Sequence, residues 1–418
     1  MGETDLDSKG RAFETFMGSF FRGSFGQYFT PRPIVKFMVD VLPIKKDSYV
    51  LDTSCGSGGF LLYALNKVRE QATNLYPRYK SDVRQYERWY KYWHDFAENY
   101  LYGIEINEQI SRAAKMNMII HDDGHTNVIS SDGLVDVNQI ESVTKNRGFK
   151  YNHFHFIITN PPFGSIIRMT EKAYMKTYDL GKKKEDWLAL AAAPETPRVN
   201  QSSEILFIEQ AYKYLREGGY LGIVVPDGIL TNSSLQYVRD RIEDWFRIVA
   251  VVSMPQTAFN ANGAGVKSSV LFLRKWTDKE KQKFERTKKK IQEDLLITNK
   301  YKEKVLDLEA KKKEQLKKLE GFDNTTGFTT LAEIKKTEAY KSWSSEISAK
   351  YTDEINSLKE KLTDLYQNER QKQLPDYRIF MAIAEEIGYD ATGKVIANND
   401  LEVIGEKLKE FIAEEFED

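Results

Sequence analysis

Apolar residues follow two different patterns along the 418-residue chain, and the change comes near Trp276. Before it, short apolar runs at residues 49–51, 100–106, 154–159, 220–225, 248–253 and 270–273 alternate with longer stretches of helical character. Short strands separated by helix-length segments predict a parallel α/β sheet with helices on both faces. The last two runs are joined by a Gly/Asn-containing loop without a helix, which predicts an antiparallel hairpin at the sheet edge. From Asp278 to about Gln373, Lys and Glu dominate. Val305, Leu308, Leu316 and Leu319 recur there at helical intervals, as do Ile355, Leu358, Leu362 and Leu365. This spacing predicts a helical hairpin of antiparallel coiled-coil type, broken at residues 321–327. It reads either as a solvated charged spacer or as a docking arm for another subunit. After Pro375, helical apolar spacing over residues 379–387 and a turn over 388–393 predict a small helical tail. The expected domains are residues 1–276, 277–373 and 374–418.

Composition narrows the class. At 41% hydrophobic and 12% aromatic the chain builds a sizeable core, which excludes full disorder. Its 61 basic and 62 acidic residues give a net charge of −1, which excludes a polycation but leaves room for a local basic cleft. A single cysteine, Cys55, excludes an internal disulfide and a multi-cysteine metal site. No apolar run reaches membrane-spanning length, and the first residues lack the basic and apolar regions of a signal peptide. A soluble, cytoplasmic protein with no membrane partner is the expectation. His121 and His125 sit in an Asp-Asp-Gly turn and His153 and His155 at a strand entry, so structural roles and no metal are expected.

Candidate chemistry lies at the ends of the expected strands. Asp52-Thr53-Ser54-Cys55-Gly56-Ser57-Gly58-Gly59 follows a β-run and opens a helix. Its glycines let the backbone turn sharply against a ligand at the carboxyl edge of the sheet. It is neither a dinucleotide fingerprint nor a P-loop, and an Asp there suits a ligand with a positive centre. Glu105 ends the next strand, where a carboxylate can accept both hydroxyls of a ribose. Asp132 ends the third and can accept from an adenine amino group. Residues 65–99, rich in Tyr, Trp, Lys and Arg, read as a helical insertion with aromatic packing or as a nucleic-acid contact.

The strand at 154–159 runs into Asn160-Pro161-Pro162-Phe163-Gly164. Two prolines end sheet pairing and stiffen the turn, fixing the Asn side chain and nearby carbonyls, and Phe163 is placed to stack on a planar base. Upstream, Phe29-Thr30-Pro31 precedes a helix start. Downstream, residues 165–201 form a loop-like stretch with Arg168, Lys172, Lys176 and Lys182 to Lys184. It is either a phosphate grip or a solvated loop.

Together and in this order, the motifs resemble the γ-class N6-adenine DNA methyltransferases, specifically the methylation (M) subunits of type I restriction–modification systems. The resemblance covers residues 8–276, with a weaker likeness in the tail and further likeness at Ser203, Glu204 and Phe207 and at residues 218–228. It implies a doubly wound, mostly parallel, seven-stranded Rossmann-like methyltransferase sheet. It also implies transfer of a methyl group from S-adenosylmethionine to N6 of a flipped adenine. By the resemblance, Phe29 and Thr30 contact the methionine part of the cofactor. Asp52, Ser54, Gly56 and Gly58 form its main pocket, with Asp52 near the ammonium, Glu105 on the ribose and Asp132 on the adenine ring. Asn160, Pro161, Pro162 and Phe163 carry the chemistry, with Asn160 also beside the cofactor. The implied partners are double-stranded DNA, a specificity (S) subunit and a restriction (R) subunit. Such subunits are also expected to carry a helical domain ahead of Phe29, and a free-standing γ enzyme a β-rich target-recognition domain; neither is read in these 418 residues. Two rivals remain in view. A protein glutamine methyltransferase also uses Asn-Pro-Pro and an aromatic, although the Phe-Thr-Pro element and the long loop after Gly164 argue against it. A DNA-binding scaffold without turnover sits poorly with an intact Asp52, Glu105, Asn160 and Phe163.

Overall fold

Runs that are apolar at every position become strands buried on both faces. The computed structural model describes residues 30–121, 127–183, 187–190, 196–260, 265–323, 330–374, 376–390, 392 and 394–416. Its main sheet contains β1 (Val50–Asp52), β2 (Leu101–Glu105), β3 (Asn127–Ser130), β4 (Phe154–Thr159), β5 (Leu215–Pro226), β6 (Phe246–Ser253), β7 (Ser268–Lys275) and β8 (Phe380–Ile383). The spatial order is β8-β6-β7-β5-β4-β1-β2-β3. Strand β7 runs antiparallel to both β5 and β6, and the other pairings are parallel. Alternation splits each strand between two cores. Phe156, Ile158, Val224, Val270 and Phe272 face one, while Ile157, Ile223, Val225, Leu271 and Leu273 face the other.

Helices α1 (Arg32–Asp40), α2 (Gly59–Leu75), α3 (Val83–Tyr100) and α4 (Glu108–Ile120) come before β4, and α5 (Ser203–Tyr214) leads into β5. Each boundary has a local cause. Arg32 follows Pro31, which lacks an N–H that the first turn would leave unsatisfied anyway. Asp82 caps α3 and Asn107 caps α4 through side-chain oxygens that accept main-chain N–H groups. The Tyr/Trp-rich stretch is helical, with Trp93, Phe96 and Ala97 of α3 buried. Side chains of α1, α2 and α3 fill the first core, and those of α5 fill the second. Strand β1 lies between β2 and β4, so the chain order reverses there, and the carboxyl ends of these strands are where open α/β sheets place ligands.

Three expectations change. The sheet has eight strands rather than seven, because the tail contributes β8. The antiparallel pair β6–β7 is not at the edge, since β8 adds parallel to β6 outside it. Nor is the tail wholly helical: β8 is followed by paired strands Ile387–Tyr389 and Val395–Asn399, then by a helix, Asp400–Phe416. A four-residue apolar run cannot be told from a helical turn by spacing alone, and the open edge of β6 decides the matter. Phe380 and Ala382 then turn inward while Met381 and Ile383 face out.

The chain divides into two units, Met1–Lys184, Glu195–Lys279 and Arg378–Asp418 forming one, Glu185–Pro194 and Glu280–Tyr377 the other. The second unit is built on α6 (Asp278–Thr298), α7 (Tyr301–Lys318) and α8 (Glu338–Gln373). Its core holds Leu188, Tyr301, Val305 and Leu362, with Ile355 and Leu358 packed against them. Gln315 accepts a hydrogen bond from Tyr351 at 3.1 Å and Phe322 meets Tyr340 and Trp343, so α7 and α8 run antiparallel. Part of the expected break, residues 324–327, lies outside the described residues. No helix among the described residues is long and apolar enough to cross a membrane.

Candidate active site

Strand ends β1, β2 and β4 bring Asp52, Glu105 and Thr159 together, all of them buried. After β1 the chain turns through Gly56 at φ 51° and Gly58 at φ 87°, left-handed conformations that a side chain would strain. Glu105 braces this turn: one carboxylate oxygen accepts from Gly56 N at 3.0 Å and the other from Asn107 N at 2.8 Å. Gly133, beside Asp132, approaches the same turn so closely that a Cβ there would lie 2.4 Å from the Thr53 carbonyl oxygen.

Thr159, which the sequence reading did not single out, ties the β1 turn to the Asn-Pro-Pro turn. Its hydroxyl donates to Asp52 Oδ1 at 2.8 Å, accepts from Thr53 Oγ1 at 3.1 Å, and lies 2.8 Å from Ser54 Oγ. Ser54 Oγ also donates to the Asn160 carbonyl at 3.2 Å. A polar residue ending an otherwise apolar strand, directly before Asn160, was the available signal. Asn160 Nδ2 in turn donates to Thr30 Oγ1 at 2.9 Å. Asp52, Ser54, Thr159, Asn160 and Thr30 thus form one connected network, while Glu105 holds Gly56 of the same turn and Gly58 lies at its end. Phe29 lies outside the described residues.

The network has two open valences. Asp52 Oδ2 and Asn160 Oδ1 are buried acceptors with no hydrogen-bond partner among the described residues. Burial, with the Glu105 charge adding to it, pushes Asp52 up to about 7 even though Ser54 N and Thr159 donate to it. A buried carboxylate with an open oxygen beside a second carboxylate fits a ligand cation, and the open Asn160 oxygen fits an N–H donor. The Cys55 thiol is pushed up by burial and by both carboxylates, which argues against a thiolate nucleophile.

Pro161 is buried, whereas Pro162 is exposed. Phe163 is half-buried, its ring 6.3 Å from that of Phe259 in an edge-to-face arrangement. Asp132 is already engaged: Oδ1 accepts from Leu134 N at 3.0 Å, and Oδ2 from Lys172 at 3.1 Å and Tyr174 at 3.0 Å. Lys172 pairs with Asp132, and Arg168 pairs with Glu171. That loop also carries two short paired segments, Ile166–Arg168 with Asn200–Ser202 and Lys182–Lys183 with Thr196–Pro197. Lys184 lies outside the described residues, as does His125. His94, Asp95 and Glu98 on α3 bring ligand-type atoms within 4.8 Å of one another, a grouping the sequence reading did not pick out.

Known proteins resemble the chain over part of its length. The type II restriction enzyme and methyltransferase RM.BcgI of Heyndrickxia coagulans is 26% identical over 275 residues, 65% of this chain and 35% of that protein. The methylase subunit of the type I restriction enzyme EcoKI of Escherichia coli (strain K12) is 26% identical over 258 residues, 60% of this chain and 41% of that one. The crystal structure of the EcoKI M protein matches with a TM-score of 0.41 at 23% identity, covering 61% of this chain and 45% of that one. The chain spans less than half the length of these curated relatives. The family model described as N-6 DNA Methylase matches residues 4–362, and the chain belongs to that family.

Proposed function

We propose that this chain methylates N6 of an adenine extruded from double-stranded DNA, with S-adenosylmethionine as donor, as the modification subunit of a type I restriction–modification complex. The observation that carries the reading is the open, buried Asn160 Oδ1, held beside the Asp52–Glu105 turn by Thr30 and Ser54. The cofactor would supply a methyl group on a sulfonium. Asp52 Oδ2 would meet its ammonium, Glu105 its ribose and Asp132 its adenine. Ser54, Gly56 and Gly58 would shape the turn against it, with Phe29 and Thr30 at the methionine end. Its residence fits the unpaired Asp52 oxygen.

An adenine amine is a poor nucleophile because its lone pair is delocalised into the ring. Acceptance of its N–H groups by Asn160 Oδ1 and the Pro161 carbonyl would favour a pyramidal nitrogen and aim the lone pair. Alignment and stabilisation of the positive charge growing on nitrogen would do the rest. Extruding the base costs a few kcal/mol. Stacking on Phe163, at about 1–3 kcal/mol, would offset much of it. The charged helical unit would dock a specificity subunit, and a restriction subunit could join that assembly in the cytoplasm. Transfer of a tritiated methyl group to DNA, followed by digestion to nucleosides, tests the reading. Label in N6-methyladenine is expected. Label in protein, or none even with co-purifying subunits present, would overturn it.

A further inference from the structure

Three main-chain groups around Phe163 converge on the first two residues of one helix. Ser203 Oγ donates to the Pro162 carbonyl at 2.8 Å, and Ser203 N donates to the Ser165 carbonyl at 2.8 Å. Gly164 N donates to Glu204 Oε2 at 3.2 Å, and Ser203 Oγ lies 3.4 Å from the same oxygen. Both residues are more than nine-tenths buried. They open α5, so their positions are set by a helix whose apolar residues Ile205, Leu206, Phe207 and Ile208 are buried.

We propose that Ser203 and Glu204 are positioning residues that clamp the main chain on either side of Phe163 and so fix the plate on which the extruded base stacks. The clamp rests on the methyl-transfer reading above and deepens it. Phe163 is flanked by Pro162 and Gly164, so the peptide units on its two sides are each tied by one hydrogen bond to α5. With both held, rotation of the Phe163 backbone is restricted and its ring direction follows from the position of α5. Burial pushes the Glu204 carboxyl up even though its own N–H, Gly164 N and the nearby Ser203 hydroxyl all act to lower it. A carboxylate at this position therefore loses solvation that its donors do not fully restore. Geometry, rather than added stability, is what it supplies.

The test uses the full chain with its co-purifying subunits. Single-turnover methyl transfer to DNA, calorimetric affinity for S-adenosylmethionine and melting temperature are measured for wild type, Glu204→Ala, Glu204→Gln and Ser203→Ala. A misplaced stacking plate should slow transfer by on the order of 100-fold in Glu204→Ala and about 10-fold in Ser203→Ala. Glu204→Gln keeps an acceptor for Gly164 N and should recover most of the rate, while cofactor affinity stays within about 2-fold throughout. Wild-type rates in both Ala variants would overturn the clamp, as would a Gln variant as slow as the Ala variant, or cofactor affinity falling in step with the rate. Ser203→Ala removes a single oxygen and keeps the proposal testable if Glu204→Ala fails to fold. An inactive wild type sinks the methyl-transfer reading itself, whereas an active wild type with unaffected variants sinks only the clamp.

Discussion

The Asn160 amide is anchored by its nitrogen to Thr30 Oγ1 at 2.9 Å, a contact between residues 130 positions apart, and its oxygen is buried with no partner among the described residues. The contact aims the amide as well as holding it. With the donor end occupied, the acceptor end is the one left to meet a substrate N–H.

Thr30→Val removes that acceptor at nearly constant shape. A neutral hydrogen bond contributes about 1 kcal/mol, so methyl transfer should slow about 5-fold, while Thr30→Ser should keep the rate. Single-turnover rates for the pair decide it. Equal rates for Val and Ser would remove Thr30 from the orientation of Asn160.

Asp52 gives a pH signature. Its folded pKa, about 7, lies above its ordinary 3.8, so between those values the folded chain holds a proton that the unfolded chain has released. Its contribution to stability therefore declines as pH rises through that window, by on the order of 4 kcal/mol in total. Asp52→Asn keeps an acceptor for Ser54 N and Thr159 and removes the charge. Its melting temperature should exceed that of wild type by a margin that widens from pH 5 to pH 8, with cofactor binding lost. A bound ammonium favours the carboxylate, so cofactor binding to wild type at pH 7 should release about half a proton. Calorimetry in buffers of different ionisation enthalpy reads this, and proton uptake would reverse the assignment.

Gly133→Ala places a Cβ 2.4 Å from the Thr53 carbonyl oxygen. Overpacking of this kind should destabilise the fold by about 1–3 kcal/mol, read as a lower urea midpoint with an unchanged slope. A midpoint at the wild-type value would mean that the turn after β1 can move aside.

Much of the site was legible because its signals are local. The glycines after Asp52 and the prolines after Asn160 act on the backbone within a few residues, so the sequence alone locates both turns. What stayed hidden depends on long-range contacts. Glu204 reaches Gly164 across 40 positions and Lys172 reaches Asp132 across 40, and neither pairing leaves a mark on its own neighbourhood. The tail strand was misread because its partner, β6, lies more than a hundred residues earlier. In the helical unit the spacing was visible but burial was not: Val305 and Leu362 are buried, whereas Leu308, Leu316 and Leu319 are only half-covered.

The loop after the Asn-Pro-Pro turn presents Lys182 and Lys183 on a short paired segment. If they meet phosphates, Lys182→Gln/Lys183→Gln should reduce the slope of log affinity for DNA against log salt by about 2. An unchanged slope would assign them to the solvated face of the loop.

The most direct measurement is made on one preparation of Asn160→Ala, by calorimetry with S-adenosylmethionine and by single-turnover methyl transfer to DNA. Cofactor affinity should stay within about 2-fold of wild type while transfer falls about 100- to 1,000-fold, the loss seen when one preorganised polar contact to a reacting group is removed. Methylation at the wild-type rate, or cofactor binding abolished along with it, would contradict the account.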